Sequence, residues 1–184
     1  MLIVLIILIV LVVVAVLFVI GQYNGLIKLR NRIEAAWAQI DVQLKRRHDL
    51  IPNLVETVKG YASHERATLE AVINARNQAM AVQGPQAQGE AENMITGALR
   101  QLFALSESYP ELKANQNFLE LQEELSATED KIAYSRQFYN DSVYKYNTKV
   151  QSFPAVILAN MMKFSEREYF EADDEARGNV QVKF

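Results

Sequence analysis

The residues able to do chemistry are few in this sequence. It has two histidines, His48 and His64, and no cysteine. A helical core can hold a pair of metals when two helices each supply Glu-x-x-His. Here Lys45 stands three residues ahead of His48, and Tyr61 three ahead of His64. A zinc protease needs H-E-x-x-H on one helix face. His64-Glu65 is followed instead by Arg66, Ala67 and Thr68. A nucleophile triad would have to use one of the same two histidines, and no G-x-S-x-G elbow accompanies them. The scattered glycines form no phosphate loop, and the missing cysteine removes disulfides, Cys-zinc sites and thiol nucleophiles together. These absences predict a chain that is not an enzyme, with no catalytic residue, no bound cofactor and no metal.

Four features remain that could carry a function. Glu65, with Glu129 and Arg136 further along, would form a paired polar core layer if all three turn inward, because buried charges need partners; the plainer reading is boundary residues with wet tips. The basic run Lys45-Arg46-Arg47 reads as a solvated helix end, with contact to anionic lipid as the sharper option. The series Tyr139-Asn140, Tyr144 and Tyr146-Asn147 reads as packing at the edge of a core, with a peptide-binding groove as the alternative. The tail carries Glu166, Glu168, Glu171, Asp173, Asp174 and Glu175, which fit a solvated surface better than a cation site. Beside them, Phe153, Pro154, Met161, Met162, Phe164, Tyr169 and Phe170 make an apolar, Met-rich stretch. It is the candidate for docking, onto the chain's own body or onto a partner.

Helices must position all of these. Leu26, Leu29, Ile33, Trp37, Ile40 and Leu44 recur at steps of three and four, which predicts a helix over 23–48. Proline suits the first turn of a helix and disrupts its interior, so Pro52 predicts a break near 49–51 and a second helix over 52–82. The turn at Gly84-Pro85 separates it from a third helix over 85–108. A fourth follows over 110–152, with Phe118, Leu121, Leu125, Ile132, Tyr139, Val143 and Tyr146 on its inner face and polar Thr128 and Glu129 interrupting midway. Phe153-Pro154 stops it. A short helix over 155–163 and an irregular or extended end complete the chain. Long helices with short turns predict antiparallel neighbours. The expected fold is all-α: an N-terminal transmembrane helix over 1–21 continuing into an antiparallel up-down four-helix bundle over 22–152, then a C-terminal docking segment and acidic tail over 153–184.

The transmembrane assignment rests on residues 2–20, nineteen consecutive apolar residues without charge, Gly or Pro. As a helix they span roughly 28 Å, close to the roughly 30 Å hydrocarbon core of a bilayer. Only Met1 precedes them and no small-x-small site follows, so an uncleaved anchor is expected rather than a signal peptide. Lys28, Arg30 and Arg32 flank the run on its C-terminal side, which by the positive-inside rule places the body in the cytoplasm; a periplasmic or extracellular body is the alternative. The net charge of −3 and pI near 5.5 speak against a nucleic-acid partner.

The stretch YNGLIKLRNRIEAAWAQIDVQLKRRHDLIPNLVETVKGYASHERATLEAVINARN at 23–77 closely resembles the LemA family of bacterial membrane proteins. LQEELSATEDKIAYSRQFYNDSVYKYNTKVQSFP at 121–154 and YFEADDEAR at 169–177 resemble it too, so the likeness covers essentially the whole chain. The resemblance implies a single N-terminal anchor in the bacterial inner membrane followed by a helical bundle. It implies no enzymatic activity and no site residues. The expected function is a membrane-anchored scaffold or adaptor that touches lipid through 2–20 and presents a helical surface to protein partners, copies of itself included. Two alternatives stand beside it: an accessory or regulator of a membrane protease, and a ligand- or metal-binding bundle.

Overall fold

The computed structural model describes residues 1–170. They form six helices and no strand: α1 (Leu2–Lys59), α2 (Arg66–Ala81), α3 (Pro85–Ser106), α4 (Pro110–Lys113), α5 (Gln116–Gln151) and α6 (Ala155–Met161). The fold is all-helical, as expected. Residues 163–170 have no regular structure. The end of the tail, with Glu171, Asp173, Asp174 and Glu175, lies outside the described residues. The chain divides into two units, one made of Met1–Ala38 with Phe138–Glu168 and a second built mainly of Gln39–Gln137.

In the first unit, every side chain from 2 to 18 is exposed, although all are apolar. Such a helix has nothing in its own fold to bury against, and its length and composition fit a single-pass membrane anchor. Beyond it the pattern becomes one-sided. Leu26, Ile33 and Ala36 are buried on α1, and Tyr139, Val143, Tyr146 and Val150 recur at steps of four, three and four on α5. Trp37 and Tyr139 meet edge to face, with ring centroids 5.5 Å apart, and the Arg32 guanidinium lies 4.9 Å from the centre of the Phe138 ring.

In the second unit, one core gathers Ile51, Leu54 and Val58 from α1, Leu69, Val72, Ala75 and Ala79 from α2, and Ile95, Leu99 and Leu102 from α3. Leu112 of α4 and Phe118 and Leu125 of α5 complete it. The connections follow local chemistry. Gly84 takes a φ of 93°, a left-handed conformation open to glycine, and Pro85 then opens α3 at its first turn. Asn115 starts α5 by accepting the Phe118 N–H on Oδ1 at 3.0 Å. The fourth helix expected from Pro110 is therefore two helices, because this cap begins a new one.

The expected break at 49–51 is absent. Helix α1 runs through Pro52 to Lys59, and the interruption falls at 60–65 instead. Pro52 has no N–H, so the carbonyl one turn back, on His48, loses its helical donor. Arg76 of α2 replaces it, with Nε donating to the His48 carbonyl at 2.7 Å. A tertiary hydrogen bond thus satisfies the group that the proline orphans.

Arg76→Ala removes that donor. It is expected to lower stability by about 1–3 kcal/mol in denaturant unfolding followed by circular dichroism. Adding Pro52→Ala restores a backbone N–H and is expected to recover part of the loss.

Candidate functional site

The densest polar chemistry lies inside the second unit. On α1, Ile40, Leu44, Ile51, Leu54 and Val58 are buried in heptad-like steps, and the gap in that series falls at Arg47 and His48. Both turn inward: Arg47 is 2% exposed and His48 8%. On α3 the buried series Gln88, Glu92, Ile95, Leu99, Leu102 and Ser106 likewise places three polar residues on the inner stripe.

These residues satisfy one another. Glu92, 3% exposed, receives three donors. His48 Nε2 donates to Oε1 at 2.7 Å, Gln88 Nε2 to the same oxygen at 2.9 Å, and Arg47 Nη1 to Oε2 at 3.1 Å. Arg47 Nη2 donates to Thr96 Oγ1 at 2.7 Å and lies 2.9 Å from Glu129 Oε2 on α5. Gln88 also donates to the Ala79 carbonyl at the end of α2, at 3.1 Å. The layer therefore ties α1, α2, α3 and α5 together. Glu129 forms its wet edge, at 44% side-chain exposure, beside a cavity of about 300 Å³ lined by Thr96, Arg100, Phe103 and Gln122.

A His–carboxylate pair can serve a general base. This one is sequestered, and among the described residues no hydroxyl hydrogen-bonds to the His48 ring. Nor do three His, Asp or Glu side chains among the described residues converge as metal ligands. What the layer does chemically is neutralise a buried carboxylate and fix helix register. A slide of α3 by one turn, about 5.4 Å, would part Glu92 from Arg47 and His48 and leave its buried charge without a cationic partner.

The residues singled out from sequence distribute differently. Glu129 belongs to this layer through Arg47. Glu65 sits at the start of α2 and accepts from the Tyr109 hydroxyl at 3.0 Å, which holds that phenol above its ordinary pKa. Arg136 is partly exposed on α5, and no ion pair among the described residues joins it to Glu65 or Glu129. The basic run is not uniformly wet as expected: Lys45 and Arg46 are exposed, while Arg47 is buried because Glu92 and Glu129 compensate its charge. Arg47, His48, Gln88, Glu92 and Thr96 went unrecognised as a group, although their places in the apolar repeats of α1 and α3 were a readable signal.

In the first unit, the tyrosine–asparagine series holds a segment of the chain itself. Asn147 donates through Nδ2 to the Arg167 carbonyl at 2.9 Å and accepts the Arg167 N–H on Oδ1 at 2.8 Å. Tyr139 donates its hydroxyl to the Glu168 carbonyl at 3.0 Å. One amide side chain thus reads the backbone of 167 as a neighbouring strand would. Tyr144 points outward. Of the docking candidates, Phe164 packs edge to face on Tyr23, with centroids 6.0 Å apart; Phe170, which groups with the second unit, is buried. Phe153, Met161, Met162 and Tyr169 are exposed, and Pro154 is half-buried at the start of α6.

The family model for the LemA family matches residues 36–184. The chain belongs to the LemA family. It is similar to Protein LemA of Metamycoplasma hominis, 27% identical over 167 residues, covering 89% of this chain and 75% of that protein. It is also similar to Magnetosome protein MamQ 2 of Paramagnetospirillum magneticum, 24% identical over 176 residues, covering 82% of this chain and 65% of the relative. Magnetosome protein MamQ of Magnetospirillum gryphiswaldense is 23% identical over 175 residues, with 81% and 64% covered. The chain thus spans somewhat under two thirds of the magnetosome relatives' length. None of these names states a reaction. The family match covers all of the polar layer and the segment that Asn147 holds.

Two outcomes test this geometry. Arg47→Met strands Glu92 and is expected to cost about 3–5 kcal/mol in denaturant unfolding. Arg47→Met with Glu92→Gln leaves an uncharged layer and is expected to lose clearly less than the single variant. Tyr139 provides a pH readout, since burial pushes its phenol up from 10.0 to about 12. The unfolded chain releases this proton near pH 10.0 and the folded chain only near 12, so its stabilising contribution is complete below pH 10 and is lost as the pH rises to about 12. Tyr109 and Tyr146 are also shifted upward, so phenolate absorbance is expected to show a late-titrating component that shrinks by one tyrosine in Tyr139→Phe.

Proposed function

We propose that this protein is a membrane-anchored helical scaffold without an enzymatic reaction of its own. Residues 2–20 hold it in the bilayer, and the helical body offers its surface to protein partners, copies of itself among them. The observation that carries this reading is where the reactive side chains go. Arg47, His48 and Glu92 are engaged with one another in a buried layer that joins four helices, so the chemistry available to a substrate is already committed to structure. Outward, the same unit offers isolated apolar side chains, such as Met94 and Leu119, at 48% and 43% exposure. Lys28, Arg30 and Arg32, just past the apolar run, favour a cytoplasmic body by the positive-inside rule.

The test uses a photo-crosslinking residue at Met94 or at Leu119 of the full chain in living cells. Discrete protein adducts are expected from at least one position, and they are expected to persist in Glu92→Gln. No protein adduct at either position contradicts the scaffold reading. So does a purified chain that turns over a substrate and loses that turnover in Glu92→Gln with its helicity intact.

A further inference from the structure

Helix α6 is arranged the wrong way round for a helix that packs only on its own protein. Its inward residues are small: Ala155 and Ala159, one turn apart, are buried. Outward lie two large apolar residues with the polar Asn160 beside them: Ile157 and Met161 are two positions on from the alanines, about 200° around the helix, at 53% and 74% exposure. Phe153, in the turn before the helix, is exposed at 81%, and Met162, at its C-cap, at 42%. No charged residue interrupts 153–162. In water this face would be a liability.

The position of α6 supplies a partner for the face. Lys163 takes a left-handed φ of 57° and closes the helix. The Phe164 N–H then bonds the Ala159 carbonyl at 2.9 Å, and the Lys163 N–H bonds the Asn160 carbonyl at 3.4 Å. This cap turns the chain so that the Phe164 ring meets Tyr23, centroid to centroid at 6.0 Å. Tyr23 is three residues beyond the end of the apolar run, about 4.5 Å along the helix. The headgroup layer extends roughly 5–7 Å beyond the hydrocarbon core on each side. Phe164 therefore sits near the level of the headgroups when the run spans the bilayer, and α6 ends three residues before it. Tyrosine is at home at that depth, and Lys163, exposed at the end of α6, suits an anionic surface.

We propose that α6 is a second, interfacial membrane contact: Phe153, Ile157, Met161 and Met162 insert side-on among the lipid headgroups, beside the transmembrane run. The chain would then touch the bilayer at two points, one spanning and one lying on its surface. The inference rests on the reading of 2–20 as the span and gives the exposed part of the docking segment to lipid.

The chain has no cysteine, so single cysteines report cleanly. Full-length protein carrying Ile157→Cys or Met161→Cys, labelled with an environment-sensitive dye, is reconstituted in vesicles of phosphatidylethanolamine and phosphatidylglycerol. Val10→Cys marks the span and Tyr144→Cys an exposed site of the same unit without an apolar row. Lipids carrying a quencher near the headgroup are expected to quench the dye at Ile157 and Met161 roughly twofold or more and to leave Tyr144 unquenched. Deep quenchers are expected to act at Val10. A quenched Val10 with unquenched Ile157 and Met161 overturns the interfacial contact and leaves the anchor standing. An unquenched Val10 overturns both. Shielding at Ile157 that depends on the protein-to-lipid ratio, without lipid quenching, assigns the face to a second copy and overturns the proposal. Equal quenching at Tyr144 does so as well, because the contact is then not specific to α6.

Discussion

A carboxylate taken out of water must be given back its charge balance and its hydrogen bonds, or the fold that buries it will not form. Glu92 is that carboxylate. Three donors from two helices meet it, and the most expensive of them to bury, Arg47, is itself balanced by Glu129 and bonded to Thr96. The apolar side chains around this layer could pack in more than one register, because Leu, Ile, Val and Ala tolerate sliding past one another. The charged layer tolerates only one. Networks of this kind specify a unique core when every member is satisfied, and each member here has a partner.

Much of this architecture could be read from the residues. The uniform apolar run at 2–20 and the three- and four-residue spacing beyond it pointed to an all-helical chain behind an anchor. The short helix after Phe153-Pro154 also emerged where composition placed it. The start of the second helix did not. Pro52 is a local breaker, and local reasoning broke the helix there. The compensation comes from Arg76, twenty-four positions away, and no window around Pro52 contains it. The polar layer was half legible. Arg47 continues the steps from Ile40 and Leu44 to Ile51, and Glu92 continues those back from Leu102, Leu99 and Ile95. A stripe defined only by apolar residues passes over both. Glu129 was noticed because it interrupts a stripe, but its partner lies on α1 and not further along its own helix.

The first unit shows the same lesson in another form. The tyrosine–asparagine series could be read as core-edge packing or as a groove for a peptide. Tyr139 and Tyr146 are buried at the core edge, and Asn147 holds an extended peptide, residues 167 and 168 of the chain itself. A single asparagine can do this because its amide offers one donor and one acceptor at the spacing of a peptide unit. The stretch that returns residues 167 and 168 to α5 also carries Phe164, which packs on Tyr23, and α6 leaves Ile157 and Met161 outward.

Arg47 and Glu92 are buried and bonded to each other, and only Glu129 at the layer's edge is wet. The most direct measurement is the guanidinium NMR spectrum of the full chain in lipid nanodiscs, with Arg47 assigned by Arg47→Lys. Both of its Nη groups are held, so restricted rotation and slow exchange of the Nη protons are expected, against fast, averaged signals from exposed Arg46. An Arg47 signal that exchanges as fast as that of Arg46 would mean that its guanidinium is not held by Glu92, Thr96 and Glu129, and would contradict the layer's role in fixing helix register.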